Sequence, residues 1–233
     1  MKIPGFGRTG QSKLKSAHVA VAGLGGLGSS ASIYLAAAGV GRITIIDDER
    51  IERSNLNRQV LHWELDVGQS KVKSASEKLR AINSSIKFDG IFVKITSENV
   101  DQLIKGADVV VDGTDNYQTR YLLNETCVRN RIPFVHGAVE GLVGQVMTIL
   151  PNKGPCLKCA IPKEPPEKHL LPVLGATPGV IGCLQAMEAI KLITGLGKPL
   201  VGRMLIFNGM DMTFEEINVK RNPSCQICGK RGR

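Results

Sequence analysis

Gly23-Leu24-Gly25-Gly26-Leu27-Gly28 places glycines at the spacing G-x-G-x-x-G, positions 23, 25 and 28. The run before it, His18-Val19-Ala20-Val21-Ala22, is short and apolar and reads as a strand ended by Gly23. Residues 26–38 after it, rich in Ala and Ser with Leu27, Ile33 and Leu35, read as a helix, and Gly39 sits where a helix C-terminus favours a left-handed residue. Ile43-Thr44-Ile45-Ile46 is a β-branched run and reads as a buried strand. Strand, helix and strand in succession form a right-handed crossover with parallel pairing. Glycines at such a turn let phosphate oxygens approach the first amides of the helix, where the dipole favours anions. Asp47 ends the second strand 19 residues after Gly28, where a carboxylate accepts hydrogen bonds from ribose hydroxyls. Glycines also serve tight turning alone, but the strand before, the helix after and the acid beyond favour a nucleotide.

Outward from this unit the alternation continues. Residues 70–82 read as a helix, 86–95 as a strand, 98–105 as a short helix, 107–111 as a strand, 116–130 as a helix and 133–139 as a strand. This rhythm predicts an α/β fold with a Rossmann-like, doubly wound and mostly parallel sheet. After Val139 the rhythm changes: 143–150 reads as a further strand, and 203–208 with 213–219 as a closing β-hairpin, an antiparallel C-terminal extension. Residues 151–176 hold Pro151, Pro155, Pro162, Pro165, Pro166 and Pro172 and read as a long functional loop. Thr177 as N-cap, Pro178 at the first helical position and Gly195 as stop predict a helix to about Thr194. Residues 1–16 read as polar and irregular, with at most a short helical turn. The whole is expected to be one domain, with 1–140 binding nucleotide and 141–233 forming a second, metal-braced part.

Two polar segments decide between nucleotides. Ser54-Asn55-Leu56-Asn57-Arg58-Gln59 follows the acid directly, and Lys71 comes soon after. A dinucleotide site for hydride transfer needs no such cluster. A triphosphate being cut does, because Arg58 and Lys71 neutralise charge that develops on phosphate and pyrophosphate. Asp112-Gly113-Thr114-Asp115-Asn116 follows the Val109–Val111 strand and points at the same crevice. Asp115 is placed to hold Mg²⁺ on phosphate oxygens, and Asp115 or Asn116 equally suits the N-cap of the helix that follows.

Six cysteines include the pairs Cys156/Cys159 and Cys225/Cys228. In a cytosolic chain these spacings favour a four-thiolate zinc site over a redox or disulfide use, and four protein ligands make it structural. Cys127 and Cys183 read as buried structural residues. His136 reads as a packed histidine, and His18, His62 and His169 show no metal or triad partner at useful spacing.

The chain has 233 residues, 42% apolar and 22% charged, so an ordinary core is expected. No apolar stretch is long enough for a membrane helix and the N-terminus does not read as a signal peptide, so a cytoplasmic location is expected. The net charge of +9 reads as a solvated basic surface, since aromatics are only 4% and no basic-aromatic stripe marks a nucleic-acid interface.

Together Gly23–Gly28, Asp47, Ser54–Gln59, Lys71, Thr114-Asp115-Asn116, both cysteine pairs and the stretch from Gly182 to Lys191 resemble the ThiF/MoeB/HesA family, relatives of the ubiquitin-activating enzymes. The resemblance runs from about Gly5 to Gly229. It implies ATP·Mg in the crevice and adenylation of the C-terminal glycine carboxylate of a small ubiquitin-like sulfur carrier with a Gly-Gly tail. On the matching positions, Asp47 would hold ribose, Asn55, Arg58 and Lys71 the phosphates, and Asp115 magnesium. The implied nucleotide site comprises Gly23, Gly25, Gly26, Gly28, Asp47, Ser54, Asn55, Leu56, Asn57, Arg58, Lys71, Asp115 and Asn116, with Arg58, Lys71 and Asp115 as the catalytic set. A homodimer is implied as well.

Two departures stand out. The family's R-Y-x-R-Q segment, whose Arg reaches the partner subunit's ATP, has no match here, Arg8 being the nearest arginine. The crossover loop Lys163–Pro178 holds no cysteine, which favours adenylation alone, as in the molybdopterin-synthase activators. With no rhodanese-like extension in the sequence, sulfur is expected from a separate donor. The competing readings are an NAD-dependent oxidoreductase, resting on the glycines and Asp47, and a zinc-braced scaffold that binds without turnover.

Overall fold

The computed structural model describes residues 3–165 and 172–229, so His169 lies outside the described residues. One eight-stranded sheet runs through them in the order β3-β2-β1-β4-β5-β6-β7-β8. The strands are β1 His18–Ala22, β2 Arg42–Asp47, β3 Lys87–Phe92, β4 Val109–Asp112, β5 Phe134–Glu140, β6 Val143–Ile149, β7 Arg203–Asn208 and β8 Thr213–Asn218. β1 to β5 pair in parallel, and β5 to β8 are antiparallel neighbours. The α/β, mostly parallel sheet with an antiparallel extension is therefore as the sequence predicts. The order reverses between β1 and β4, so the carboxyl ends of these two strands flank the crevice where such sheets bind ligands.

Helices cover both faces: α1 Gly7–Ser16, α2 Gly26–Ala38, α3 Lys71–Ile82, α4 Val100–Leu103, α5 Tyr117–Asn130, α6 Leu157–Ala160 and α7 Ala176–Thr194. Strand residues alternate between the two layers. Val19, Val21, Ile43, Ile45, Val109 and Val111 pack with Leu27, Leu35, Leu79 and Ile181 on one face. Ala20, Ala22, Val110 and Phe134 pack with Ile104, Leu123 and Leu157 on the other. α2 and α7 lie so close that a Cβ on Gly182 would stand 2.6 Å from the Leu27 carbonyl oxygen.

Three local expectations are corrected. Residues 7–16 form a full ten-residue helix rather than an irregular segment. It buries only Gly10 and Leu14 and is held from outside itself, by Gln11 Nε2 on the Ala38 carbonyl (2.9 Å) and Lys13 Nζ on the Thr194 carbonyl (2.8 Å). The proline-rich loop contains the single turn α6, whose first amide, Leu157 N–H, donates to Asn124 Oδ1 at 2.9 Å. α7 begins at Ala176, and Thr177 does not cap it; its hydroxyl donates instead to the Gly141 carbonyl (3.1 Å). Other helix ends follow the sequence: Gly39 and Gly195 are left-handed caps, and the Asn116 side chain caps α5. The Ser70 side chain caps α3, which begins at Lys71. Among the described residues no helix is long and apolar enough to cross a membrane.

Candidate active site

The glycine turn joins β1 to α2, and its backbone conformation explains most of its glycines. Gly23 has φ +89°, and a Cβ there would stand 2.6 Å from the Gly113 carbonyl oxygen on the β4–α5 turn. A Cβ on Gly28 would lie 1.9 Å from the Gly23 carbonyl oxygen, and one on Gly26 would lie 2.8 Å from Pro178 Cγ. Packing therefore demands Gly23, Gly26 and Gly28. Gly25 differs: a Cβ there has nothing closer than 3.8 Å, so this position opens toward the crevice. The first amides of α2, which no intrahelical acceptor satisfies, lie at the same place.

Asp47, at the carboxyl end of β2, braces this turn. Its Oδ2 accepts from Leu24 N–H (2.7 Å) and its Oδ1 from Glu49 N–H (2.8 Å), leaving each oxygen further lone pairs. Burial raises its pKa, against the pull of Lys71 and the two amides.

Lys71 opens α3 and is buried, with its Nζ paired to the Glu49 carboxylate. Glu49 also accepts Lys71 N–H on its backbone carbonyl (3.0 Å). Glu49 thus belongs to the site, although its sequence position two residues past Asp47 was the only clue to it.

The segment from Ser54 to Arg58 is tied largely to itself. Ser54 Oγ donates to Glu52 Oε2 (3.2 Å), and Asn55 Oδ1 accepts Glu52 N–H (3.0 Å), so both side chains shape the turn. Leu56 is half-buried. Arg58 Nη1 donates to the Ser54 carbonyl and to Asn57 Oδ1, both at 2.9 Å, in a solvent-facing position. The segment's backbone is pinned under the approach to α7, since a Cβ on Gly175 would stand 1.9 Å from the Asn57 carbonyl oxygen. Gln59 is buried beside Gly25, with its Oε1 unpartnered. It ends the quoted motif, yet only the fold shows that it faces the glycine turn.

Asp115 and Asn116 lie on the β4–α5 turn. Of the two candidates for the N-cap, the structure selects Asn116. Asn116 is the N-cap, its Oδ1 accepting Thr119 N–H at 2.8 Å, and Asp115 is exposed with Asn116 Nδ2 at 3.4 Å. An exposed carboxylate at the carboxyl end of a central strand is a hard oxygen donor of the kind magnesium takes. The fold thus gathers the glycine turn, Asp47, Lys71 and the β4–α5 turn along one edge of the sheet.

The four paired cysteines converge away from this crevice. Their Sγ atoms all lie within 4.8 Å of one another, with Cys156–Cys225 at 3.7 Å and Cys159–Cys228 at 3.4 Å. Thiolates at ~2.3 Å from a tetrahedral zinc are ~3.8 Å apart, so the quartet fits that ion. It joins the α6 turn to the segment after β8. Cys127 is buried and burial pushes its thiol up, as it does for half-buried Cys183, so neither is a reactive thiolate. His136 is a packed histidine, fully buried.

Residues 1–227 match the ThiF family. The chain belongs to the ThiF family. It is 45% identical over 232 residues to the SAMP-activating enzyme E1 of Haloferax volcanii, covering 97% of this chain and 85% of that one. It is 41% identical over 239 residues to the sulfur carrier protein adenylyltransferase of Thermus thermophilus, with 98% and 88% covered. The crystal structure of E. coli MccB with ATP superposes with a TM-score of 0.87 at 28% identity, over 95% of this chain and 70% of that one. The chain is accordingly an adenylyltransferase of this family.

Proposed function

We propose that the protein adenylates the C-terminal glycine carboxylate of a small ubiquitin-like sulfur carrier, using ATP and releasing pyrophosphate. The observation that carries this reading is the buried Lys71 at the crevice edge, beside Asp47 and the open Gly25 position. The carrier's terminal carboxylate is already ionised near pH 7, so no strong base is required. One of its oxygens attacks the α-phosphorus, the bond to the bridging oxygen breaks, and pyrophosphate leaves with that electron pair. Amides at Gly25 and Gly26 receive the α-phosphate, and Asp47 accepts the ribose hydroxyls on its spare lone pairs.

Lys71 exchanges its Glu49 partner for phosphate, and Arg58 swings from its two local acceptors onto the phosphates. Both then neutralise charge as pyrophosphate forms. Asp115 would hold Mg²⁺, which when bound shields the phosphate oxygens. Cys156, Cys159, Cys225 and Cys228 would hold a structural zinc, and thiols free of disulfide bonds suit a cytoplasmic setting.

In this reading residues 1–140 form the nucleotide part and 141–233 the carrier part of one domain. The protein works as a homodimer, and sulfur comes from a separate donor. The test is exchange of labelled pyrophosphate into ATP with each small Gly-Gly-tailed protein encoded near the gene. Exchange that needs both ATP and one such carrier is expected. Its absence with every carrier would remove the proposal.

A further inference from the structure

Beneath the β4–α5 turn lies a buried cluster of ionisable groups that the steps above leave without a task. Asp112 ends β4, His136 sits in β5 and Arg120 is on α5, and all three are buried. Asp112 Oδ1 accepts the Thr114 N–H (3.1 Å) and the Thr114 hydroxyl (2.7 Å). Asp112 Oδ2 accepts His136 Nδ1–H at 2.8 Å, and His136 Nε2 faces Gln145 Nε2 at 3.2 Å. One neutral tautomer satisfies both contacts, with the proton on Nδ1 and Gln145 donating to Nε2. Burial lowers the His136 pKa, which agrees with a neutral ring. Burial works to raise the Asp112 pKa, but the His136 bond and the Arg120 charge outweigh it and keep the carboxyl below its ordinary value.

Arg120 reaches the same turn from the helix side. Its Nη2 donates to the Thr114 carbonyl at 2.6 Å, while its Nε stands 3.6 Å from Asp112 Oδ2. Gln185 of α7 donates to the Asp112 carbonyl (2.7 Å) and the Val135 carbonyl (3.2 Å), fixing the strand end itself. Thr114 is therefore clamped at both peptide groups, its N–H by Asp112 and its C=O by Arg120. The next residue is Asp115, and the one after it is the α5 cap. Backbone on both sides of Asp115 is held while its carboxylate stays exposed. A buried ion pair adds little stability over apolar side chains of the same volume, so stability alone does not account for this one.

We infer that Asp112 and Arg120, backed by His136, are positioning residues that set where the Asp115 carboxylate stands for a divalent cation on the nucleotide's phosphates. The inference rests on the proposed role of Asp115 as the magnesium ligand. Partners that orient a metal ligand typically change metal affinity by about ten- to a hundredfold when removed.

The test is calorimetric binding of ATP in Mg²⁺ and in EDTA, which needs no carrier, with AMP in EDTA and thermal melting as controls. For folded Arg120→Met, the affinity gained from Mg²⁺ should shrink about tenfold, with AMP binding unchanged and part of the loss restored in Arg120→Lys. A full Mg²⁺ gain in Arg120→Met overturns the inference, and so does an equal loss of AMP binding, which would mean general loosening. Asp115→Asn separates the two layers of argument. If it keeps the Mg²⁺ gain, the magnesium role and this inference fall together. If it loses the gain and Arg120→Met does not, this inference alone falls. Should Arg120→Met not fold, Thr114→Val decides, because it keeps the ion pair and deletes one contact to Asp112. An unchanged Mg²⁺ gain there also overturns the inference.

Discussion

Lys71 is only 2% exposed, whereas the Glu49 carboxylate that pairs with it is 60% exposed. A buried ammonium needs a compensating anion, and here that anion comes from the solvent side, where it can leave. Phosphate arriving in the crevice offers the same charge with more of it. Glu49→Gln should therefore lower stability without ligand. The loss should be about 1 kcal/mol, below that of a fully buried pair, because Glu49 is half in water. ATP should then raise the melting temperature of the variant more than that of the wild type, since phosphate restores the missing counter-charge. Equal ATP-induced shifts in the two proteins would show that Lys71 does not change partners. Lys71→Met removes the cation itself and should slow carrier-dependent pyrophosphate exchange by about 10²- to 10³-fold.

At the scale of the element, the glycine turn separates packing from binding. Gly28→Ala drives a methyl to within 1.9 Å of the Gly23 carbonyl and should leave little folded protein. Gly25→Ala meets nothing closer than 3.8 Å, so its melting temperature should stay near wild type while ATP affinity falls, because the methyl occupies the approach to the first amides of α2. Calorimetry of Gly25→Ala with ATP checks this, and wild-type affinity would contradict it. The turn was legible in the sequence because strand, glycines and helix are contiguous, and the same holds for β2 with Asp47 and for the caps at Gly39 and Asn116. Local sequence misleads where a neighbour decides the structure. α1 carries a polar sequence with one buried leucine, and contacts from Ala38 and Thr194 hold it in place. α6 is a turn made by the cysteine cluster and by Asn124 in a stretch whose prolines speak for loop. Glu49 and Arg120 were unreadable as site residues, and Asp112 was legible only as the first residue of its turn, because their partners come from different elements and nothing local in sequence distinguishes a buried acid from a surface one.

At the scale of the whole molecule, three histidines among the described residues are buried with lowered pKa values, one beside each of three different strands or turns. His18 is held between the Gly106 carbonyl (2.9 Å) and Thr44 Oγ1 (2.8 Å) at the amino end of β1. His62 lies between Ser74 Oγ (3.0 Å) and the Leu24 carbonyl (3.3 Å), under the glycine turn, and burial pushes it down to about 4. His136 lies under the β4–α5 turn. Burial holds each ring below its ordinary value in the folded protein, whereas the unfolded ring takes a proton near about 6.5. The unfolded chain therefore binds more protons below that pH, and the stability these rings lend is complete above it and is lost as pH falls toward their folded values. Asp47 acts in the opposite sense, since its raised pKa favours the folded state in acid, but it is one group against three. The stability of the molecule should decline from about pH 6.5 toward pH 4, at a slope of up to about 1.4 kcal/mol per pH unit for each histidine. His62 alone accounts for up to about 3 kcal/mol over that interval. Denaturant unfolding as a function of pH measures the slope, and His62→Gln should flatten it whatever its effect on stability at neutral pH. A His62→Gln profile parallel to wild type would mean that the ring beneath the glycine turn takes up its proton over the same pH range folded as unfolded, which would contradict the lowered value.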